Sequence, residues 1–255
     1  MKVSLITIAY NSAETIEDTI KSIVAQDYSN IEYIIIDGGS TDTTLSIIDK
    51  FKDSIATIIS EPDKGIYDAM NKGVQNSTGD IVGILNSDDI YANNKVVSRI
   101  VEAIGDKDSI YADLVYVNRA NTDKVNRYWK SGTYKKGIFK KGWMPPHPTF
   151  FLKKSCYDQY GTYNLRLRSA ADYELMLRML HKHYISVVYL PEVITKMRVG
   201  GQSNVTLLNR LKANKEDKLA WSINDLKPGS LTLIMKPLRK ISQFFKKGNE
   251  NRQFL

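Results

Sequence analysis

Along the first hundred residues the apolar positions alternate between two patterns. Short continuous runs at residues 3–9, 31–37 (IEYIIID), 56–60 and 80–85 read as strands buried on both faces. Between them lie stretches with helical spacing. Residues 12–26 carry Ile16, Ile20, Ile23 and Val24 behind a Ser12 N-cap, and residues 41–50 set Leu45, Ile48 and Phe51 on one face. Residues 66–76 turn Met70 and Val74 inward, and another helix is predicted over 95–104. This βαβα order predicts a mostly parallel sheet with helices on both faces. Beyond residue 105 the pattern predicts strands at 109–117, 125–129 (an antiparallel neighbour), 150–153 and 186–190, with helices at 170–181 and 204–226. Residues 130–150, rich in Gly, Lys and Pro, read as a functional loop. No repeat or linker interrupts the chain before residue 226. One α/β domain over 1–226 is therefore expected, followed by a basic amphipathic tail over 227–255.

A parallel sheet brings four strand ends to one edge, where open α/β sheets bind ligands. Those ends are Ala9-Tyr10-Asn11, then Asp37-Gly38-Gly39-Ser40-Thr41-Asp42, then Glu61-Pro62-Asp63-Lys64-Gly65, and Asn86-Ser87-Asp88-Asp89. Each alone is an ordinary turn or cap; four polar ends together suit a nucleotide. Asp37 can accept from a base N–H or a ribose hydroxyl. Gly38 and Gly39 admit a flat ligand close to the backbone. Lys64 before Gly65 at a helix start can meet a phosphate. The adjacent carboxylates Asp88 and Asp89, with no thiol or imidazole beside them, suit a hard cation such as Mg²⁺ or Mn²⁺. There is no phosphate loop of the G-x-x-x-x-G-K-[ST] kind and no G-x-G-x-x-G after the first strand. A nucleotide, a hard metal and neither motif point to a nucleoside diphosphate as leaving group.

Composition narrows the class. The chain has 255 residues, 42% hydrophobic and 25% charged, as in a soluble globular protein. Its single cysteine, Cys156, excludes an internal disulfide and a cysteine-based zinc site and fits a reducing cytosol. The start MKVSLITIAYNS lacks a signal-peptide pattern, and no apolar run reaches membrane-spanning length, so a cytoplasmic location is expected. Of the net charge of +8, a surplus of six comes from residues 227–255, where seven Lys or Arg face one acid, Glu250. Mixed there with Leu231, Leu233, Ile234, Leu238, Ile241, Phe244 and Phe245, these cations suit a helix lying peripherally on an anionic inner membrane face, or one packed on the domain.

The ordered motifs VSLITIAYNSAETIEDTIKSIVAQDY, IEYIIIDGGSTDTT, EPDKGIYDAMNKGV, GDIVGILNSDD and AADYELMLRML resemble those of family 2 glycosyltransferases with the GT-A (Rossmann-like) fold, of the bacterial surface-polysaccharide type, over residues 2–200. The resemblance implies an inverting, metal-dependent enzyme. It would move a sugar from a nucleotide-sugar donor, most often a UDP-sugar, to a saccharide or lipid-linked acceptor. It places the nucleotide against Thr7, Ala9, Tyr10, Asn11, Asp37, Gly39, Ser40, Asp63, Lys64, Asn71, Asn86, Ser87 and Asp88, with uracil on Asp37 and Mn²⁺ or Mg²⁺ on Asp89. Here Ser87 replaces the first acid of a strict DxD motif, which leaves Asp89 as the metal ligand and Asp88 for ribose or sugar. The general base falls on Asp172, an acid at a helix start that otherwise reads as a partner of the helix dipole. Trp143, His147, Glu174 and Arg198 are assigned to donor or acceptor, with Arg198 or Gln202 closing over the diphosphate. His181 and His183 read as dipole partners or surface residues. Two readings compete. A sugar-phosphate nucleotidyltransferase would carry a Gly-rich, basic loop after the first strand, and Tyr10-Asn11-Ser12-Ala13-Glu14 is not one. A nucleic-acid-binding protein would need an extended basic groove, but outside the tail acids nearly balance the cations. No nucleic-acid partner is expected, and oligomeric state is left open.

Overall fold

The computed structural model describes residues 1–200 and 207–245, with backbone alone for 207–214 and 240–245. The expected alternation occupies the N-terminal half: β1 (Val3–Ala9), α1 (Ile16–Val24), β2 (Ile31–Asp37), α2 (Thr44–Asp49), β3 (Thr57–Ser60), α3 (Ile66–Asn76) and β4 (Ile81–Ile84). Then come β5 (Asp89–Tyr91), α4 (Val96–Ile104), β6 (Ser109–Val117), β7 (Val125–Trp129), β8 (Phe151–Lys153), α5 (Lys154–Tyr160), α6 (Ala171–Met176), β9 (Val187–Arg198), α7 (Leu207–Ile223) and α8 (Thr232–Phe245). A single sheet runs β3-β2-β1-β4-β8-β6-β9-β5, and β7 adds to β6.

The sheet has two halves. Strands β3, β2, β1 and β4 are parallel, with Ala9 opposite Asp37 and Ile6 opposite Ile84, so their carboxyl ends do share one edge. Past β4 the pairing is antiparallel through β8 to β6, parallel from β6 to β9, and antiparallel again to β5 and β7. Successive strand residues face opposite ways. Ile6, Ile34 and Val82 pack with Met70 and Val74 of α3. Leu5, Ile35 and Ile81 pack with Ile16 and Ile20 of α1 and Ile100 of α4. Both faces are thus covered, which is why these strands are continuously apolar. Gly83 sits where β8 crosses: a Cβ there would come within 2.2 Å of the Phe151 ring.

Two elements depart from expectation. β9 runs on to Arg198 because Pro191 and Glu192 are absorbed in a register shift against Ala112 and Asp113 of β6. β5 contains Asp89, which pairs with Met197 and so is strand rather than loop. Of the two arrangements left open for the tail, its described part, α8, takes the one packed on the domain. A Cβ on Gly142 would lie 2.4 Å from the backbone nitrogen of Lys236, so α8 rests directly on that glycine. Thr232 Oγ1 donates to the Lys140 carbonyl, and Lys236 Nζ meets Asp217 Oδ1 at 2.6 Å and lies 3.7 Å from the centre of the Tyr173 ring. Gln202 and residues 246–255 lie outside the described residues.

Candidate active site

The loops at the shared edge are tied to one another before any ligand arrives. Asn11, in the left-handed region at φ 45°, accepts at Oδ1 from the backbone N–H of Thr41, 2.9 Å away, and its own N–H donates to Ser40 Oγ. Asp37 is fully buried. Its carboxylate accepts from the N–H groups of Gly39 and Ser40 and the hydroxyls of Ser40 and Ser60. These four bonds shape the turn after β2, and they use most of the acceptor capacity the sequence reading offered to a base. Ser12 and Ser87 share a 2.7 Å hydroxyl contact that joins the first and fourth strand ends. Asp63 is held 2.5 Å from Lys72, whose ammonium also meets Glu61 at 2.8 Å. The Asp68 carboxylate, in the first turn of α3, accepts the N–H of Lys64 just before the helix, with Gly65 between them at φ 121°. Tyr10 stays exposed beside this edge.

Asp89 is the most unusual side chain of the site. It is fully buried, and neither carboxylate oxygen completes a hydrogen bond among the described residues. Burial, reinforced by the neighbouring Asp88 charge, pushes its pKa well above the usual carboxylate range; the Arg198 backbone and cation oppose this without reversing it. Asn86 Oδ1, three residues earlier, is also buried without a partner. Buried polar atoms nearly always have partners, so three orphaned hard oxygens within four residues fit a divalent cation. No three acidic, histidine or cysteine side chains among the described residues form an all-protein cage.

Asp172 lies in the first turn of α6. Its Oδ1 accepts the Tyr67 hydroxyl at 3.1 Å, and its Oδ2 lies 3.5 Å from His147 Nδ1. Packing around the half-buried His147 ring lowers its pKa, while the charges of Asp172 and Asp88 oppose the shift. Burial raises the Tyr116 phenol; the Arg127 guanidinium stacked on its ring opposes this, and the charges of Asp89 and Asp172 add to it. A cavity of about 530 Å³ opens alongside, lined by Asp63, Lys64, Tyr67, Leu167 and Arg168 among others. Tyr67 and Arg168 escaped sequence reasoning. Tyr67 lies three residues before the inward-facing Met70, a helical spacing that pointed to the same face; Arg168 had no such signal.

Several assigned residues have partners within the scaffold. Thr7 is buried mid-strand and accepts the Tyr33 hydroxyl, and Ala9 is core. Both side-chain atoms of the Asn71 amide are bound to the Tyr163 backbone. Trp143 is buried and donates Nε1 to the Ser131 carbonyl. Glu174, also buried, is paired with Arg178 at 2.9 Å and accepts from Asn224, just past α7. Arg198 does reach the Asp88–Asp89 segment: its guanidinium donates to the Asp88 carbonyl and pairs with Asp18. His181 is not at the surface: it is buried against Phe139 and Trp221. His183 stacks on Tyr160.

Comparison with known proteins accords with this geometry. Residues 4–173 match the family profile described as "Glycosyl transferase family 2". An uncharacterized glycosyltransferase of Mycobacterium tuberculosis is 34% identical over 178 residues, covering 69% of this chain and 68% of its own. A PGL/p-HBAD biosynthesis glycosyltransferase of Mycobacterium bovis is 29% identical over 205 residues, covering 79% and 78%. Among solved structures, residues 1–349 of S. aureus TarS in complex with UDP-GlcNAc superpose with a TM-score of 0.69 at 17% identity, covering 100% of this chain and 78% of that one. The mannosyltransferase PcManGT of Pyrobaculum calidifontis, in complex with GDP-Man and Mn²⁺, gives 0.67 at 18% identity, covering 94% and 69%. At these identities the structural likeness establishes the fold, a GT-A type α/β architecture.

Proposed function

This chain belongs to glycosyl transferase family 2, and from that premise we propose an inverting, metal-dependent glycosyltransferase that uses a nucleoside-diphosphate sugar, with a UDP-sugar as first candidate. The observation that carries the reading is the Asp89 carboxylate, buried and unpartnered at the sheet edge beside Asp88. A buried charge without a partner is costly; a divalent cation held by Asp89, Asp88 and Asn86 would remove that cost. The UDP-GlcNAc and GDP-Man complexes of the structural relatives support a nucleotide-sugar donor, and the Mn²⁺ of one of them supports the cation.

The nucleotide lies along the strand ends from Asn11 to Ser87. Lys64 and Arg168 at the cavity supply positive charge toward the phosphates. Asp172 accepts the proton of the acceptor hydroxyl as that oxygen attacks the anomeric carbon. The new C–O bond forms as the bond to the diphosphate breaks, with inversion, and the electron pair leaves on the nucleoside diphosphate. Tyr67 holds the Asp172 carboxylate by a hydrogen bond, and the His147 ring lies beside its other oxygen. A cation held by Asp89, Asp88 and Asn86 would neutralise charge on the leaving diphosphate. Thermal stabilisation by a panel of nucleotides and nucleotide sugars, with and without Mn²⁺, tests the reading. Stabilisation by at least one nucleoside diphosphate sugar that requires the metal is expected; indifference to the whole panel would remove it.

A further inference from the structure

Helix α8 shows two different faces. Thr232 and Lys236, one turn apart, are the docked face described above. Leu231, Ile234 and Leu238, spaced three and four apart, form a stripe on the other side and are 58%, 58% and 55% exposed. Three large aliphatic side chains in line on a docked, oriented helix make a contiguous apolar patch. The patch is bordered by cations. Lys135, Lys140 and Lys141 are exposed on the turn beneath α8, and Arg239 joins them through a hydrogen bond to the Lys141 carbonyl at 3.0 Å. Neither residues 130–153 nor residues 227–249 contain an acid.

We infer that α8 and the 135–141 turn form one composite surface that seats this enzyme on an anionic lipid bilayer. The aliphatic stripe enters the acyl boundary while the flanking lysines meet headgroup phosphates. Charge selects this occupant. A second copy would bring an equally cationic surface against the first, in a chain of net charge +8. Nucleic acid offers nothing for the stripe. The docking contacts at Gly142 and Asp217 matter here, because they hold the stripe at a fixed angle to the domain rather than on a loose tether. This inference goes beyond the transfer reading and does not depend on it.

The test is co-sedimentation of the full-length chain with phosphatidylcholine vesicles, with and without phosphatidylglycerol, at low and high salt. Two variants accompany it, Leu231→Ser/Ile234→Ser/Leu238→Ser and Lys135→Glu/Lys140→Glu/Lys141→Glu, each checked for folding by thermal melting. Binding that requires phosphatidylglycerol, is released by salt and weakens tenfold or more in each variant is expected. The inference is overturned if the wild-type chain ignores anionic vesicles at low salt, or binds neutral and anionic vesicles alike. It is also overturned if folded variants bind as well as wild type, or if the serine variant instead abolishes a concentration-dependent dimer seen without lipid. Should either variant not fold, the lipid and salt dependence of the wild type decides alone.

Discussion

Nδ1 of His147 lies 3.5 Å from Oδ2 of Asp172, while Oδ1 of the same carboxylate accepts the Tyr67 hydroxyl. One oxygen of the base candidate is therefore hydrogen-bonded by Tyr67, and the other faces the His147 ring. Burial holds the imidazole below its ordinary pKa, so it faces Asp172 as a neutral ring at pH 7. Because the folded pKa lies below the unfolded value near 6.5, the stabilising effect of the neutral ring is present above that value and fades as pH falls.

The first expectation concerns this triad. Asp172→Asn should lower turnover by roughly 10²-fold or more and leave donor affinity nearly unchanged, the mark of a lost general base. His147→Asn and Tyr67→Phe should lower turnover less, and His147→Asn should also remove an acidic limb from the pH–rate profile. Steady-state rates across pH 5–8 check all three; an unchanged pH profile in His147→Asn would leave the imidazole no part in holding the base.

A second expectation uses stability rather than rate. Asp89 has a raised folded pKa, so its ionised form destabilises the metal-free fold, and stability should rise as pH falls toward the unfolded carboxylate value near 3.8. Asp89→Asn should abolish that rise, raise metal-free stability at pH 7 by about 1 kcal/mol or more, and lose the protection given by Mn²⁺ with a nucleoside diphosphate. Denaturant melts with and without metal read each effect. A mutant that is less stable without metal yet still protected by it would contradict the metal role.

Glu32 behaves in the opposite sense. Burial alone would raise it, but hydrogen bonds from Lys2, Ser4 and Thr78 outweigh that and hold its carboxyl at about 2. Its contribution is present above the unfolded value near 4.5 and lost as pH falls toward 2. Glu32→Gln should cost about 2 kcal/mol at pH 7 and flatten the stability profile between pH 4.5 and 2. Equal acid sensitivity of mutant and wild type would show that this network does not carry it.

Removal of α8 is the fourth case. Sequence alone suggests that a chain ending near Leu226 keeps its fold, but Lys236 and Asp217 form a largely buried pair, and breaking one costs several kcal/mol in comparable cases. Both truncation after Leu226 and Lys236→Ala should therefore destabilise the domain by about 2 kcal/mol or more. Gly142→Val should do the same, since its side chain would collide with the α8 backbone. Chemical denaturation decides; full stability of the truncated chain would make α8 a bystander to the fold.

Much of the fold was legible because parallel strands buried on both faces need unbroken apolar runs, and residues 3–9 and 31–37 have them. β5 was not, since three residues beginning with an aspartate carry no periodicity and owe their strand geometry to β9. The length of β9 was hidden by Pro191, which a register shift accommodates. At the site, the strand-end motifs located the edge correctly, but residue type could not tell a ligand contact from a strut. Asn71, Glu174 and Arg198 have the chemistry of binding residues and spend it on Tyr163, Arg178 and the Asp88 carbonyl. Tyr67 shows the converse: on a helix it reads as core, and only the packing of α3 against α6 brings its hydroxyl to Asp172.

The central claim is that Asp89 and Asp172 do two different jobs in one sugar transfer. Release of nucleoside diphosphate from a panel of sugar nucleotides, with water or added saccharide as acceptor, tests it directly in wild type, Asp89→Asn and Asp172→Asn. The account predicts release from at least one donor that depends on Mn²⁺ or Mg²⁺. Asp89→Asn should lose both metal dependence and nucleotide affinity, and Asp172→Asn should keep affinity and lose turnover. Turnover indifferent to chelator, or Asp172→Asn releasing product at the wild-type rate, would contradict it.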